Sequence, residues 1–384
     1  MALPALLGPE LRPLFHDTFV RSCELYEDYV FRLTLDVFRA IGLAEVFSRP
    51  ATLDEAVERA GLDPRAARVP LDWILRELAA RDVLEAVPSD TGPAFRIRGE
   101  VPSLGAAEVR RAQEELDRSA LPSYAIAALA AESYPAVLRG ETEGELVLFG
   151  ADHLERWSAY FANENSIYAV SNALGAIACE EVWPREGGAI LELGGGLGSG
   201  ADALLSRFAS RDRVGTIASY RFTELSIPFL RRGRRALAER FPSVPFAFAR
   251  LDMNEPFEGS GVTPSSYALV YGVNTLHAAH DLARTLDEVR RALAPGGHLV
   301  LSECVRPFEG RPVYVEFVFN LLRSFREPLL HPSWRPNGGF LTPEQWTGAL
   351  LANGFRDVRL VPDLAAIRDD CPSFVVAAIV ASRA

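Results

Sequence analysis

Glu192, Glu224, Asp252, Asn274, His277 and Glu303 each stand at, or within a few residues past, the end of a short apolar run in the second half of the chain. Carboxylates in such positions accept hydrogen bonds from hydroxyls and amines, and a histidine that is neutral near pH 7 can take up a proton. Glu192 is followed by Gly194, Gly196, Gly198 and Gly200 in alternation, then by the helix-forming run Ala201-Asp202-Ala203-Leu204-Leu205. Apolar run, carboxylate, glycines and helix read as strand, tight turn, helix. Glycine lets a backbone approach a ligand closely because it carries no side chain.

The elements that must position these residues alternate. Strands are expected at 189–193, 214–222, 246–250, 267–273 and 298–303, with helices between them and the turn Pro295-Gly296-Gly297 before the fifth strand. Residues 305–340, rich in aromatics, arginines and prolines, read as an inserted helical cap. A helix at 343–353 and strands at 356–361 and 373–381 follow. Alternation of this kind implies a mostly parallel sheet covered on both faces, whose ligands lie at the carboxyl ends of the strands. Scattered surface polars would not track those ends as these six do.

The first half reads differently. A long helix over 25–44 ends near Gly42, and Thr52-Leu53-Asp54-Glu55 is a capping-box pattern opening a short helix. A second amphipathic helix over 65–80 and a hairpin of 83–87 and 94–98, turning at 88–93, complete a helix, helix, hairpin order, the pattern of a winged helix. Arg65, Arg68, Arg76 and Arg81 on and after the second helix are offset by Asp72, Glu77 and Asp82, so no basic face builds up, and a structural or dimer-forming module is expected rather than a DNA reader. Further helices follow, including 106–119 and 154–181, whose Trp157, Tyr160, Phe161 and Tyr168 read as core. The expected division is 1–100, 101–184 and 185–384.

Composition bounds the rest. A chain of 384 residues exceeds one ordinary core, and its net charge of −11 argues against a partner dominated by phosphate contacts, such as nucleic acid. All 40 basic residues are arginine, as genomic base composition would produce. Cys23, Cys179, Cys304 and Cys371 form no C-x-x-C pair, and no histidine cluster suggests a metal; a reduced cytoplasm is the expected compartment. No apolar run nears the roughly 20 residues that span a bilayer, and no basic-then-apolar leader is present, so no membrane partner is expected.

Two ligands compete for the glycine turn. Gly196-x-Gly198-x-x-Ala201 fits a loose dinucleotide fingerprint. Glu192 beside a pyrophosphate would be repulsive, however, and beside a ligand carrying an ammonium and a sulfonium it would be attractive. The spacing Glu192-x-Gly194-x-Gly196-x-Gly198 resembles motif I of the class I S-adenosylmethionine-dependent methyltransferases. The resemblance runs on through Tyr220 to Ser226, Arg250-Leu251-Asp252-Met253 and Leu293 to Leu299. It implies a Rossmann-like seven-stranded sheet and S-adenosylmethionine as cofactor. Glu192, Gly194, Gly196 and Gly198 would hold its methionine part, Glu224 (a glutamate in place of the usual aspartate) its ribose hydroxyls, Asp252 its adenine amino group and Met253 the ring, with Asn274 also assigned to the cofactor.

Val273 to Asp281, taken with Leu301-Ser302-Glu303, resembles the methyltransferase domains of polyketide synthases, in which a histidine and a glutamate form a catalytic dyad. Small-molecule O-methyltransferases of the plant phenol type place the same two residues similarly and carry an N-terminal winged-helix module that builds a homodimer. The resemblance makes His277 the base and Glu303 its partner, with His280 the poorer match. Methyl transfer from a sulfonium is an in-line displacement for which the acceptor must shed a proton; the glutamate fixes the tautomer and stabilises the resulting cation. The expected acceptor is an oxygen of a small polyketide-like or aromatic molecule, with carbon alpha to a carbonyl as the alternative. A cofactor-binding winged-helix regulator is the reading from another class. Arg306, Arg311, Arg323, Arg326 and Arg335 in the cap suit an anionic or carrier-bound acceptor, or else a solvated lid.

Overall fold

The computed structural model describes residues 7–88 and 92–384. The described chain falls into two compact units. One comprises Asp17–Tyr160 and Phe308–Glu327; the other comprises the chain up to His16, Phe161–Pro307 and Pro328–Ala384. In this grouping the 101–184 stretch divides after Tyr160, and the 305–340 stretch divides after Pro307 and again after Glu327.

The first unit is mainly helical. Helix Asp17–Ala40 buries Tyr26, Tyr29, Val30, Leu35 and Phe38. Thr52 caps helix Leu53–Arg59 in a full capping box with Glu55. Asp63 caps helix Pro64–Ala80 by accepting from Arg65 N and Ala66 N, with Pro64 placed where its missing N–H costs nothing. Strands β1 (Ala51–Thr52), β2 (Leu84–Val87) and β3 (Ala94–Ile97) pair antiparallel in the order β1-β3-β2, with Leu84 opposite Ile97 and Val87 opposite Ala94. Helix, helix, hairpin stands as the sequence implied; Ser89, Asp90 and Thr91 of the expected turn lie outside the described residues. Helix Leu121–Leu138 runs through this unit, with Tyr134 stacked on Phe317 at 4.8 Å.

The second unit is built on seven strands. In chain order they are β4 (Gly188–Glu192), β5 (Ile217–Glu224), β6 (Phe246–Arg250), β7 (Tyr267–Val273), β8 (Leu293–Cys304), β9 (Phe355–Val361) and β10 (Val376–Arg383). The sheet order is β6-β5-β4-β7-β8-β10-β9, with β10 antiparallel to both its neighbours and the remaining pairs parallel. Order reverses between β4 and β7, which is where open α/β sheets bind ligands. Ile190, Leu191, Val270, Tyr271, Val300 and Leu301 are sealed in the core, as expected of central strands covered on both faces.

The helix expected over 25–44 runs from Asp17 to Ala40, and the expected helical cap at 305–340 holds two four-residue helices, Glu316–Phe319 and Arg323–Arg326. Three more elements differ from expectation. Strand β5 starts at Ile217 because Val214–Thr216 forms a 3-10 turn, and it runs on to Glu224. Strand β8 starts at Leu293, the Pro-Gly-Gly turn being absorbed as a register shift against β7. The helix expected over 154–181 breaks into Leu154–Phe161 and Ser166–Val182. The break follows from tertiary bonding: Asn163 Nδ2 donates to Ser199 O (3.0 Å) and Asp202 Oδ2 (3.1 Å), and its Oδ1 accepts from Asn172 (2.8 Å).

Candidate active site

The glycine turn leaves β4 and enters helix Ser199–Ser210. Gly196 has φ +57, and nothing lies within 4 Å of where a Cβ would stand, so the turn is open on that side. A Cβ on Gly195, by contrast, would run into the Phe222 ring. The turn is anchored by Glu224, whose Oε2 accepts from Gly196 N (2.9 Å) and whose Oε1 accepts from Ser226 N (2.7 Å). Burial raises the Glu224 carboxyl above its ordinary value, and backbone N–H donors, Ser226 and Gly196 foremost, pull it back.

Glu192 occupies a different kind of place. It is only 1% exposed, beneath the turn, with Oε2 accepting from the Tyr220 hydroxyl at 2.8 Å. Burial pushes its carboxyl up to about 8, opposed by the Tyr220 hydroxyl and assisted by the charge of Glu224. The Glu192 side chain therefore presents almost no surface to a ligand resting on the turn.

At the next strand ends, Asp252 Oδ1 accepts from Asn254 N (3.0 Å) and Nδ2 (3.1 Å), while Asn254 Oδ1 accepts from His280 N (2.8 Å). Met253 is half-buried, and its carbonyl accepts from Thr285 Oγ1. Asn274 lies just past β7 with φ +48, a left-handed conformation asparagine tolerates better than most residues. Its N donates to Ser302 O (2.7 Å) and its Oδ1 accepts from Cys304 N (2.8 Å), stitching the ends of β7 and β8 together. Tyr168, which sequence patterning assigned to core, shares a side-chain hydrogen bond with Asn274, and burial drives its phenol above the ordinary value.

His277 and Glu303 meet. His277 Nδ1 lies 2.6 Å from Glu303 Oε2, the imidazole 6% exposed and the carboxylate fully buried. Glu303 Oε1 also accepts from Thr275 N (3.0 Å) and Leu276 N (2.8 Å). One carboxylate thus holds both the ring and the turn that carries it, and with Nδ1 turned to Glu303 the proton-accepting position is Nε2. The Phe340 ring packs on the imidazole at 4.8 Å. His280 is exposed and stands outside this pair.

Residues 191–299 match the methyltransferase domain family. This chain carries a methyltransferase domain. The chain is 28% identical over 305 residues to highly reducing polyketide synthase 2 of Gibberella zeae, a match covering 74% of this chain and 12% of that one. The chain therefore spans about an eighth of the length of this curated relative. It superposes on the CurJ carbon methyltransferase with a TM-score of 0.79 at 21% identity, over 99% of this chain and 96% of that one. On the trans-methyltransferase CalH, solved in complex with SAH, the TM-score is 0.61 at 22% identity, over 94% and 91% of the two chains. At these identities the structural likeness speaks for the fold.

The donor set fits S-adenosylmethionine. An open backbone turn at Gly196, the Glu224 carboxylate and an acceptor turn at Asp252 follow one another along the sheet edge. Among the described residues, no group of three or more His, Cys, Asp or Glu could hold a metal ion, and no helix is long and apolar enough to cross a membrane.

The cap arginines divide. Arg306, Arg326 and Arg335 are buried and donate to main-chain carbonyls, Arg306 to Gly338 and Arg326 to Asn320 and Leu321. Arg323 is exposed and paired with Glu327. Three of the five residues that could have clamped an anionic acceptor are therefore engaged in holding the chain. Sequence gave no sign of this, since an arginine's partner at a distant carbonyl leaves no local pattern.

Proposed function

We propose that this chain methylates a carbon alpha to a carbonyl in a small polyketide-type acyl chain presented as a thioester, with S-adenosylmethionine as donor. The observation that carries the reading is the 2.6 Å contact of His277 with Glu303 at the edge formed by β7 and β8. Two comparisons favour carbon over the oxygen first expected: the sequence relative is a polyketide synthase, and the structure aligned over 99% of the chain is named as a carbon methyltransferase. Glu224, Asp252, Met253, Asn274 and the turn at Gly194, Gly196 and Gly198 would hold the cofactor, which would supply an electrophilic methyl on sulfur.

In this reading His277 Nε2 takes the α-proton, and the C–H electron pair stays on the substrate as an enolate. The enolate carbon would then take the methyl group that a bound donor supplies, the electron pair of the methyl–sulfur bond staying on sulfur. Glu303, already paired with Nδ1, stabilises the imidazolium, and no protein group has to turn. We propose that the acceptor can be carrier-bound, that the chain acts in the cytoplasm as a homodimer, and that nucleic acid and membrane are not partners.

The test is incubation with methyl-labelled donor and a panel of β-keto thioesters, phenols and carboxylic acids. The expected product carries its new methyl on the α-carbon of a β-keto thioester, read by mass and proton NMR. Labelling of phenols alone would return the reading to oxygen, and donor binding with no labelled acceptor would favour the regulator. His277→Ala is expected to lower turnover by about 10²-fold or more with donor affinity nearly unchanged; unchanged turnover would sink the base assignment.

A further inference from the structure

We infer that Arg335 is a positioning residue for the base, its guanidinium fixing the turn that aims His277 Nε2; the inference rests on His277 being the base. Arg335 is 1% exposed. Its Nη2 donates to His277 O at 2.7 Å and its Nη1 to Ala279 O at 2.6 Å, while its Nε has no partner. The 3-10 turn Leu276–Ala278 is three residues long, too short to hold its own geometry. Its shape is therefore imposed from outside, and two opposite charges impose it. Glu303 takes the N–H groups of Thr275 and Leu276 at one end, and Arg335 takes the carbonyls of His277 and Ala279 at the other.

The side chain suits the task. Two carbonyls two residues apart match the planar fork of a guanidinium, whereas an ammonium is a point charge that favours one of them. The segment delivering the fork is itself locked. His331 and Arg335 exchange main-chain hydrogen bonds at 2.9 Å each way, and the His331 ring stacks on Trp334 at 4.2 Å. Leu329 N donates to His280 O at 2.7 Å, and Phe340, five residues on from Arg335, packs on the imidazole. Burial holds the guanidinium down at about 10, with Asp281 opposing, so it stays a cation at neutral pH. A buried cation with an unpartnered Nε is a costly way merely to tie down a loop, which a well-packed neutral side chain would do as well.

The experiment is a double-mutant cycle with His277→Ala and Arg335→Lys, read as kcat on whichever β-keto thioester of the panel the wild type methylates and as donor affinity by calorimetry. Acting through the base, Arg335→Lys is expected to lower kcat about tenfold in the wild-type background and less than about twofold in the His277→Ala background, with donor affinity within about twofold throughout. Equal losses in both backgrounds, or no loss in the first, would overturn the inference. Full turnover by His277→Ala alone would instead overturn the base reading beneath it. If Arg335→Lys shows no melting transition, Arg335→Gln, neutral and able to donate to one carbonyl, carries the same cycle.

Discussion

Glu303 and Glu192 are both buried carboxylates, yet their surroundings assign them different work. Glu303 accepts three N–H groups, two from backbone and one from an imidazole. Glu192 is sealed under the glycine turn, and burial lifts its carboxyl from 4.5 to about 8. The folded chain therefore keeps that proton up to about pH 8, while the unfolded chain sheds it near 4.5. Stability from this group is fully present below about pH 4.5 and is lost as pH rises toward 8, by up to about 1.4 kcal/mol per pH unit. Glu192→Gln cannot titrate. Its melting temperature relative to wild type, measured without donor, is expected to climb between pH 5 and pH 8 and then level off. A difference that stays flat over that range would mean that the carboxyl is ionised in place throughout.

At the scale of elements, the glycine turn is held by contact as well as by conformation. Gly195 lies where any Cβ would meet the Phe222 ring of β5, and Phe222 itself is fully buried, so the turn cannot rise there without disturbing the sheet. Gly195→Ala is expected to weaken donor binding by about tenfold or more by calorimetry, because the lifted turn also loses the Gly196 N to Glu224 bond. Unchanged affinity would show that Phe222 gives way instead. The turn, the strand ends and the helix, helix, hairpin order were legible in the sequence because each has a local signature: glycine spacing, apolar runs and a capping box. The break at Asn163, the reach of Tyr168 to Asn274 and the fork of Arg335 were not. Each is made by a partner far away in sequence, and an asparagine, tyrosine or arginine bound to a distant group looks locally like any other. Glu192 was half-legible: its place at the strand end was read, but its sealing beneath the turn, which holds the carboxyl up at about 8, depends on the folded sheet.

At the scale of the whole molecule, the homodimer proposed above gives a direct expectation. Light scattering at micromolar concentration should return twice 42.1 kDa, and a value of 42.1 kDa would remove the dimer. A net charge of −11 also leaves little room for a polyanionic partner. The order of the sheet carries one further consequence. Strand β10 lies between β8 and β9 and pairs Ala377 with Glu303, so β8 lacks a neighbour on that side until residues 376–383 have been made. On a ribosome adding about 5–20 residues per second, the strand that bears Glu303 waits several seconds as an open edge after it emerges. The site's central carboxylate is thus enclosed among the last parts of the fold to close, and a nascent chain stalled before residue 376 would present that edge to whatever chaperone attends it.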